Sequence, residues 1–191
     1  MTDDRRVAVW EAMADHFLDT ETRHDIPLTA LRCVQAGLSI PEARDVWRYE
    51  VSPAVGFNVW DMAGEWGAWD RKWLVERIEK VRARRPNRAG VLAWLGYRVR
   101  VHAMHGVWLS IERCMELLPR APSDAEPLAR DLATIARHYF DFIPEALDAP
   151  DRERLRQLYP EPVQRLMEPV LGRDEAKAAH LRVQSALGAA R

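Results

Sequence analysis

The sequence predicts an all-α protein: a compact single-domain helical bundle of about seven to nine helices around a long central helix at residues 91–118. Three observations predict it. Apolar residues recur at three-and-four spacing through almost the whole chain, the mark of amphipathic helices. Two Ser-x-x-Glu sequences, Ser39 with Glu42 and Ser123 with Glu126, stand in capping-box spacing ahead of apolar runs. Residues 94–118 carry two seven-spaced rows, Trp94, Val101, Trp108 and Met115, then Tyr97, Met104, Ile111 and Leu118. Together those rows form an a/d stripe.

Each element follows in order. Val7, Trp10, Ala14, Phe17 and Leu18 define a first helix expected to end near Thr20. Pro27 opens and Gly37 closes a second, 27–36. The Ser39 box starts a third, from Pro41 to about Glu50. Pro53 should limit it, because proline lacks the helical N–H and its ring crowds the preceding turn. Residues 54–64 suit another short helix. Asp70 is a candidate N-cap for 71–85, whose stripe is Leu74, Ile78 and Val81, and Pro86 and Asn87 make the next turn. Within 91–118 the stretch YRVRVHA alternates like a strand, but the heptad frame spans the whole segment. Leu95 and Leu109 widen its apolar face, which suits a core helix better than a dimer seam. Pro119 and Pro122 end it. The Ser123 box then starts a helix to about Ile143. Three prolines break 151–171 into short helices, and 174–188 forms a last, Ala-rich one. Residues 121–127 are the best candidate boundary, although one domain is the most economical reading.

Bulk properties exclude several classes. A chain of 191 residues with a formal net charge of -1 has no bulk affinity for nucleic acid or membrane. No apolar run is long enough to span a bilayer. The opening MTDDRR lacks the apolar core of a secretory signal, so a cytoplasmic protein is expected. Cys33 and Cys114 form no CxxC pair and read as buried thiols in a reducing compartment. There is no Gly-rich phosphate loop, no GxSxG elbow and no HExxH sequence, so no cofactor and no enzyme activity is expected.

Four constellations stand out. HFLDTETRHD, residues 16–25, brackets Asp19, Glu21 and Asp25 with His16 and His24. It reads as a metal-binding cluster or as a polar helix exit. Glu11, Asp15 and Asp19 at i, i+4 and i+8 make an acidic row, unfavourable in an isolated helix by about 0.2–0.5 kcal/mol per pair. The row also points its last acid at the helix C-terminus, where the macrodipole disfavours an anion. Asp61, Glu65 and Asp70 lie among Trp60, Trp66, Trp69 and Trp73, which suit either the core or a binding hot spot. His102 and His105, one turn apart, could join His138 around a metal. Finally, acids dominate residues 11–70, whereas ten Lys and Arg residues in 71–100, from Arg71 to Arg100, face only Glu76 and Glu79. The basic helix either neutralises the acidic row or leaves it for a partner.

Three strings, FLDTE (17–21), EVSPAVGFN (50–58) and GEWGAWDRKWL (64–74), resemble in order and spacing an uncharacterised family of small bacterial proteins, over residues 5–80. This chain carries Ser52 between the valine and the proline of the second string, which changes that turn. The resemblance implies no activity. It does imply an association of some relatives with secreted toxins, and so an immunity or antitoxin role.

The functional expectation is a non-enzymatic protein that binds another protein, such as a toxin or effector. Its surface would comprise Glu11, Asp15, Asp19, Glu21, Asp61, Glu65, Trp66 and Asp70. The alternatives are a metal-dependent enzyme using His102, His105 and His138, and a nucleic-acid adaptor through the basic 77–100 segment.

Overall fold

A computed structural model describes residues 3–18, 22–56, 68–83 and 104–140, with positions 178 and 181. Of these residues 83% are helical, with no strand among them. The helices are α1 (Asp4–Asp15), α2 (Ile26–Gln35), α3 (Ile40–Val46), α4 (Ser52–Val55), α5 (Arg71–Ala83), α6 (His105–Leu117) and α7 (Pro122–Phe140).

α1 opens on Asp3, whose side chain accepts from the Arg5 N–H. It ends at Asp15, well short of the limit expected near Thr20. Phe17 and Leu18 donate back to the carbonyls of Ala14 and Asp15 in tight three-residue turns (2.9 and 3.1 Å). Glu11 and Asp15 repel each other, and the last turn of α1 holds no basic residue to answer the helix dipole. Continuing the helix would have added Asp19 to that row.

α2 ends in a Schellman motif. Leu38 N–H bonds the Cys33 carbonyl (3.0 Å) and Gly37 N–H bonds that of Val34 (2.9 Å). The motif needs a left-handed residue at Gly37, whose φ is 71°, so the predicted closing glycine has a geometric cause. The Ser39 capping box forms in full: Ser39 accepts from the Glu42 N–H, and Glu42 accepts from the Ser39 N–H (2.8 Å).

Two expectations are corrected. Pro53 does not stop the third helix. After α3 the chain takes one π-helical turn, Trp47–Val51, and runs straight into α4 with proline in its first turn. The wider turn carries the chain to a position where the missing proline N–H is not needed. The second capping box is absent. α7 begins at Pro122, placing Ser123 inside the helix, where its hydroxyl bonds Asp124 (3.1 Å). Glu126 pairs with Arg130 instead (2.7 Å).

The core gathers where α1, α2, α6 and α7 meet. α2 makes the broadest contacts, with both α6 and α7, so among the described residues it is the hub that the sequence assigned to 91–118. Residues 91–103 lie outside the described residues. The later part of the heptad frame packs as predicted: Trp108, Ile111, Met115 and Leu118 are buried. Leu74 and Ile78 bury the predicted stripe of α5. Trp10, Trp47 and Phe17 are the largest side chains wholly inside.

Candidate functional site

Of the residues proposed as a binding surface, Glu11, Asp15 and Asp70 are described; Asp19, Glu21, Asp61, Glu65 and Trp66 lie outside the described residues. Asp70 caps α5, accepting from the Trp73 N–H (2.7 Å), and stays exposed. Glu11 meets Arg71 of α5 (3.0 Å), both partly open to water. The basic helix therefore does reach the acidic row, at its first member.

Among the described residues Asp15 forms no such ion pair. At the C-terminal end of α1 it keeps part of its surface in water and loses the rest of its hydration to packing, and the described charges acting on it are those of Asp25 and Glu11. Loss of hydration, then repulsion from Asp25 and Glu11, push its carboxyl above the ordinary carboxylate pKa. Asp25 itself lies 3.4 Å from the His24 ring. Three carboxylates thus collect at one pole of the protein.

The tryptophan box is attached to the same pole. Trp69 Nε1 donates to the Ala14 carbonyl (3.0 Å), one residue before Asp15. Trp69 stacks on Trp73 with centroids 5.6 Å apart and planes 4° from parallel. Both rings are only partly buried against the core. A stacked aromatic pair thus borders the acidic pole.

His16, a candidate ligand in the sequence, has a structural task. It is buried, and Nε2 lies 2.9 Å from Thr29 Oγ1. That hydroxyl also lies within donating distance of the Ala12 carbonyl (3.3 Å). The hydrogen bond between Nε2 and the hydroxyl ties the end of α1 to α2. His105 is exposed at the start of α6; His102 and the side chain of His138 lie outside the described residues. No group of three His, Cys, Asp or Glu side chains is placed to hold a metal among the described residues.

Two arrangements escaped sequence reasoning. Glu50 is 14% exposed and sits between two arginines. Arg6 grips it through Nη2 and Nε (3.2 Å), Trp10 Nε1 donates to it (2.8 Å), and Arg82 Nε stands 3.7 Å away. The Arg82 guanidinium also lies over the Trp10 ring, 5.4 Å from its centre. The signal was there in part: Glu50 belongs to the second family-like string, but its partners are 44 and 32 positions distant. The second is a cleft of about 410 Å³ between α6 and the α3–π-turn segment. Its base is Glu112, which pairs with Arg44 Nη2 and accepts from Trp108 Nε1 (2.9 Å). Nothing local in the sequence joins positions 44 and 112.

Of the arginines expected to form a basic surface, Arg71, Arg77 and Arg82 are described and each makes a contact within the protein; Arg84, Arg85, Arg88, Arg98 and Arg100 lie outside the described residues. Arg71 and Arg82 serve Glu11 and Glu50, and Arg77 Nε donates to the Ala54 carbonyl (3.4 Å). No described helix is long and apolar enough to cross a membrane.

No curated protein and no solved structure matches the chain. The sequence model of one family matches residues 4–114, a span that takes in α1 to α5, the Glu50 network, the acidic pole and most of α6. The chain therefore belongs to the DUF7079 family, defined by a domain of unknown function.

Proposed function

We propose that the protein is a non-enzymatic binding protein that covers a basic surface on a protein partner, in the manner of an immunity or antitoxin protein. One observation carries the reading: the Trp69 bond to Ala14 sets a half-exposed tryptophan stack beside Asp15, where Asp25 and Glu11 also converge. Tryptophan is enriched in binding hot spots, and carboxylates around such an anchor suit the polar rim that faces a basic partner. A cationic partner would relieve the repulsion at Asp15, so electrostatic strain in the free protein favours association. The carboxylates would also accelerate encounter with a basic target. The nucleic-acid alternative rests on the basic 77–100 segment, most of which lies outside the described residues; of its arginines, Arg77 and Arg82 contact the Ala54 carbonyl and Glu50.

The test is binding to the product of the adjacent gene, measured by interferometry. Asp15→Lys combined with Asp25→Lys should slow association at least about tenfold and flatten its salt dependence. Trp73→Ala should speed dissociation. Unchanged binding by the charge-reversed protein would place the interface elsewhere.

A further inference from the structure

The cleft between α6 and the α3–π-turn segment differs in chemistry from the acidic pole. Arg44, Arg48 and Arg113 line it together with His105, against two carboxylates, Glu112 and Glu116. Glu112 is committed to Arg44 and to the Trp108 indole, so it holds the guanidinium in place. Trp108 is 2% exposed and is itself backed by Trp47, with ring centres 6.0 Å apart. The floor is therefore rigid, and Leu109 adds an apolar wall.

We propose that this cleft binds a small organic oxyanion, a phosphate monoester or a polycarboxylate. A volume of about 410 Å³ falls in the range of small-molecule sites. Guanidinium groups match the paired oxygens of carboxylate and phosphate, and the three of them outnumber the two carboxylates of the lining, which leaves the hollow a formal surplus of one positive charge. Leu109 and the edge of Trp108 accept the carbon part of the ligand. Arg48 belongs to the π turn, a conformation frequent at functional sites. The observations on Arg44, Glu112 and Trp108 are independent of the acidic pole, so this site stands or falls apart from the proposed protein interface.

The probes are inorganic phosphate and citrate, titrated calorimetrically against the full chain at constant ionic strength. Saturable one-to-one binding of either supports the site. Phosphate alone indicates a phosphate monoester as the natural ligand, and citrate alone a polycarboxylate. Arg48→Glu with Arg113→Glu should weaken binding about tenfold or more, and Glu116→Gln, which removes a repulsive carboxylate, should strengthen it. Lys72→Glu with Lys80→Glu on exposed α5 serves as the control and should change nothing. Circular dichroism checks that the arginine variant is folded; if it is not, the Glu116→Gln result decides alone. No saturable binding, equal loss in the lysine control, or weaker binding by Glu116→Gln would overturn the proposal.

Discussion

Replacing Glu50 tests the internal ion network most directly. In Glu50→Gln the amide oxygen still accepts from Trp10, but the charge that faces Arg6 and Arg82 is gone. Hydrogen bonds to charged groups contribute about 1.5–3 kcal/mol. Both arginines are about a third exposed, so water takes over part of that role, leaving a loss of roughly 1–2 kcal/mol. For a chain of this size that is a fall in Tm of roughly 2–8 °C, at 2–4 °C per kcal/mol. Glu50→Leu removes more. It also strands the N–H of Trp10, a residue with no exposed surface, at a further cost of about 1–3 kcal/mol. Differential scanning calorimetry of the three proteins reads both steps. Two outcomes would refute the reasoning: a Gln variant within 1 °C of the parent, taking the thermal scan's resolution as about that size, or a Leu variant no less stable than the Gln one.

Three further outcomes are expected. Asp15 has a raised pKa in the folded protein, so its contribution is most favourable below the unfolded-state value and is lost as pH rises through the folded one; Asp15→Asn should therefore stabilise by about 0.2–0.5 kcal/mol at pH 7 and by less at pH 4, read from denaturant midpoints. Gly37→Ala should cost about 1–2 kcal/mol, all of it from the left-handed backbone, since a Cβ there meets nothing within 4 Å. Cys33 and Cys114 are fully buried, with thiols driven up to about 12 and higher still by loss of hydration, so Ellman's reagent at pH 8 should label neither until denaturant is added.

Local signals in the sequence proved dependable where the physics is local. Ser39 with Glu42, Gly37 and Asp70 each act within three residues of themselves, and each forms the predicted structure. The Ser123 box failed because a proline at Pro122 competes for the same helix start and wins by fixing its own backbone angle. The acidic row was legible as a pattern, but its resolution was not: only packing reveals that Arg71 meets Glu11 while Asp25 approaches Asp15. The ion pairs of Glu50 and Glu112 were hidden for the same reason, since each carboxylate draws its arginine from a distant segment. Trp69 was read as core or hot spot; it anchors to the core through its N–H and leaves part of its ring outside.

The π turn has a consequence for insertions and deletions. With more residues per turn, each residue steps round the axis by less than the roughly 100° of an α-helix. That smaller step lets three successive residues, Glu50, Val51 and Ser52, share the inward side. The Ser52 hydroxyl is buried there with no hydrogen-bond partner among the described residues, so its side chain contributes little to the site. Deleting Ser52 would then be a change of phase more than a loss of contacts. The helix would fall back to its ordinary pitch, Glu50 would keep Arg6 and Trp10, and everything beyond would swing by about one α-helical step. The Ala54 carbonyl would turn away from Arg77, and α5 would have to follow or let go.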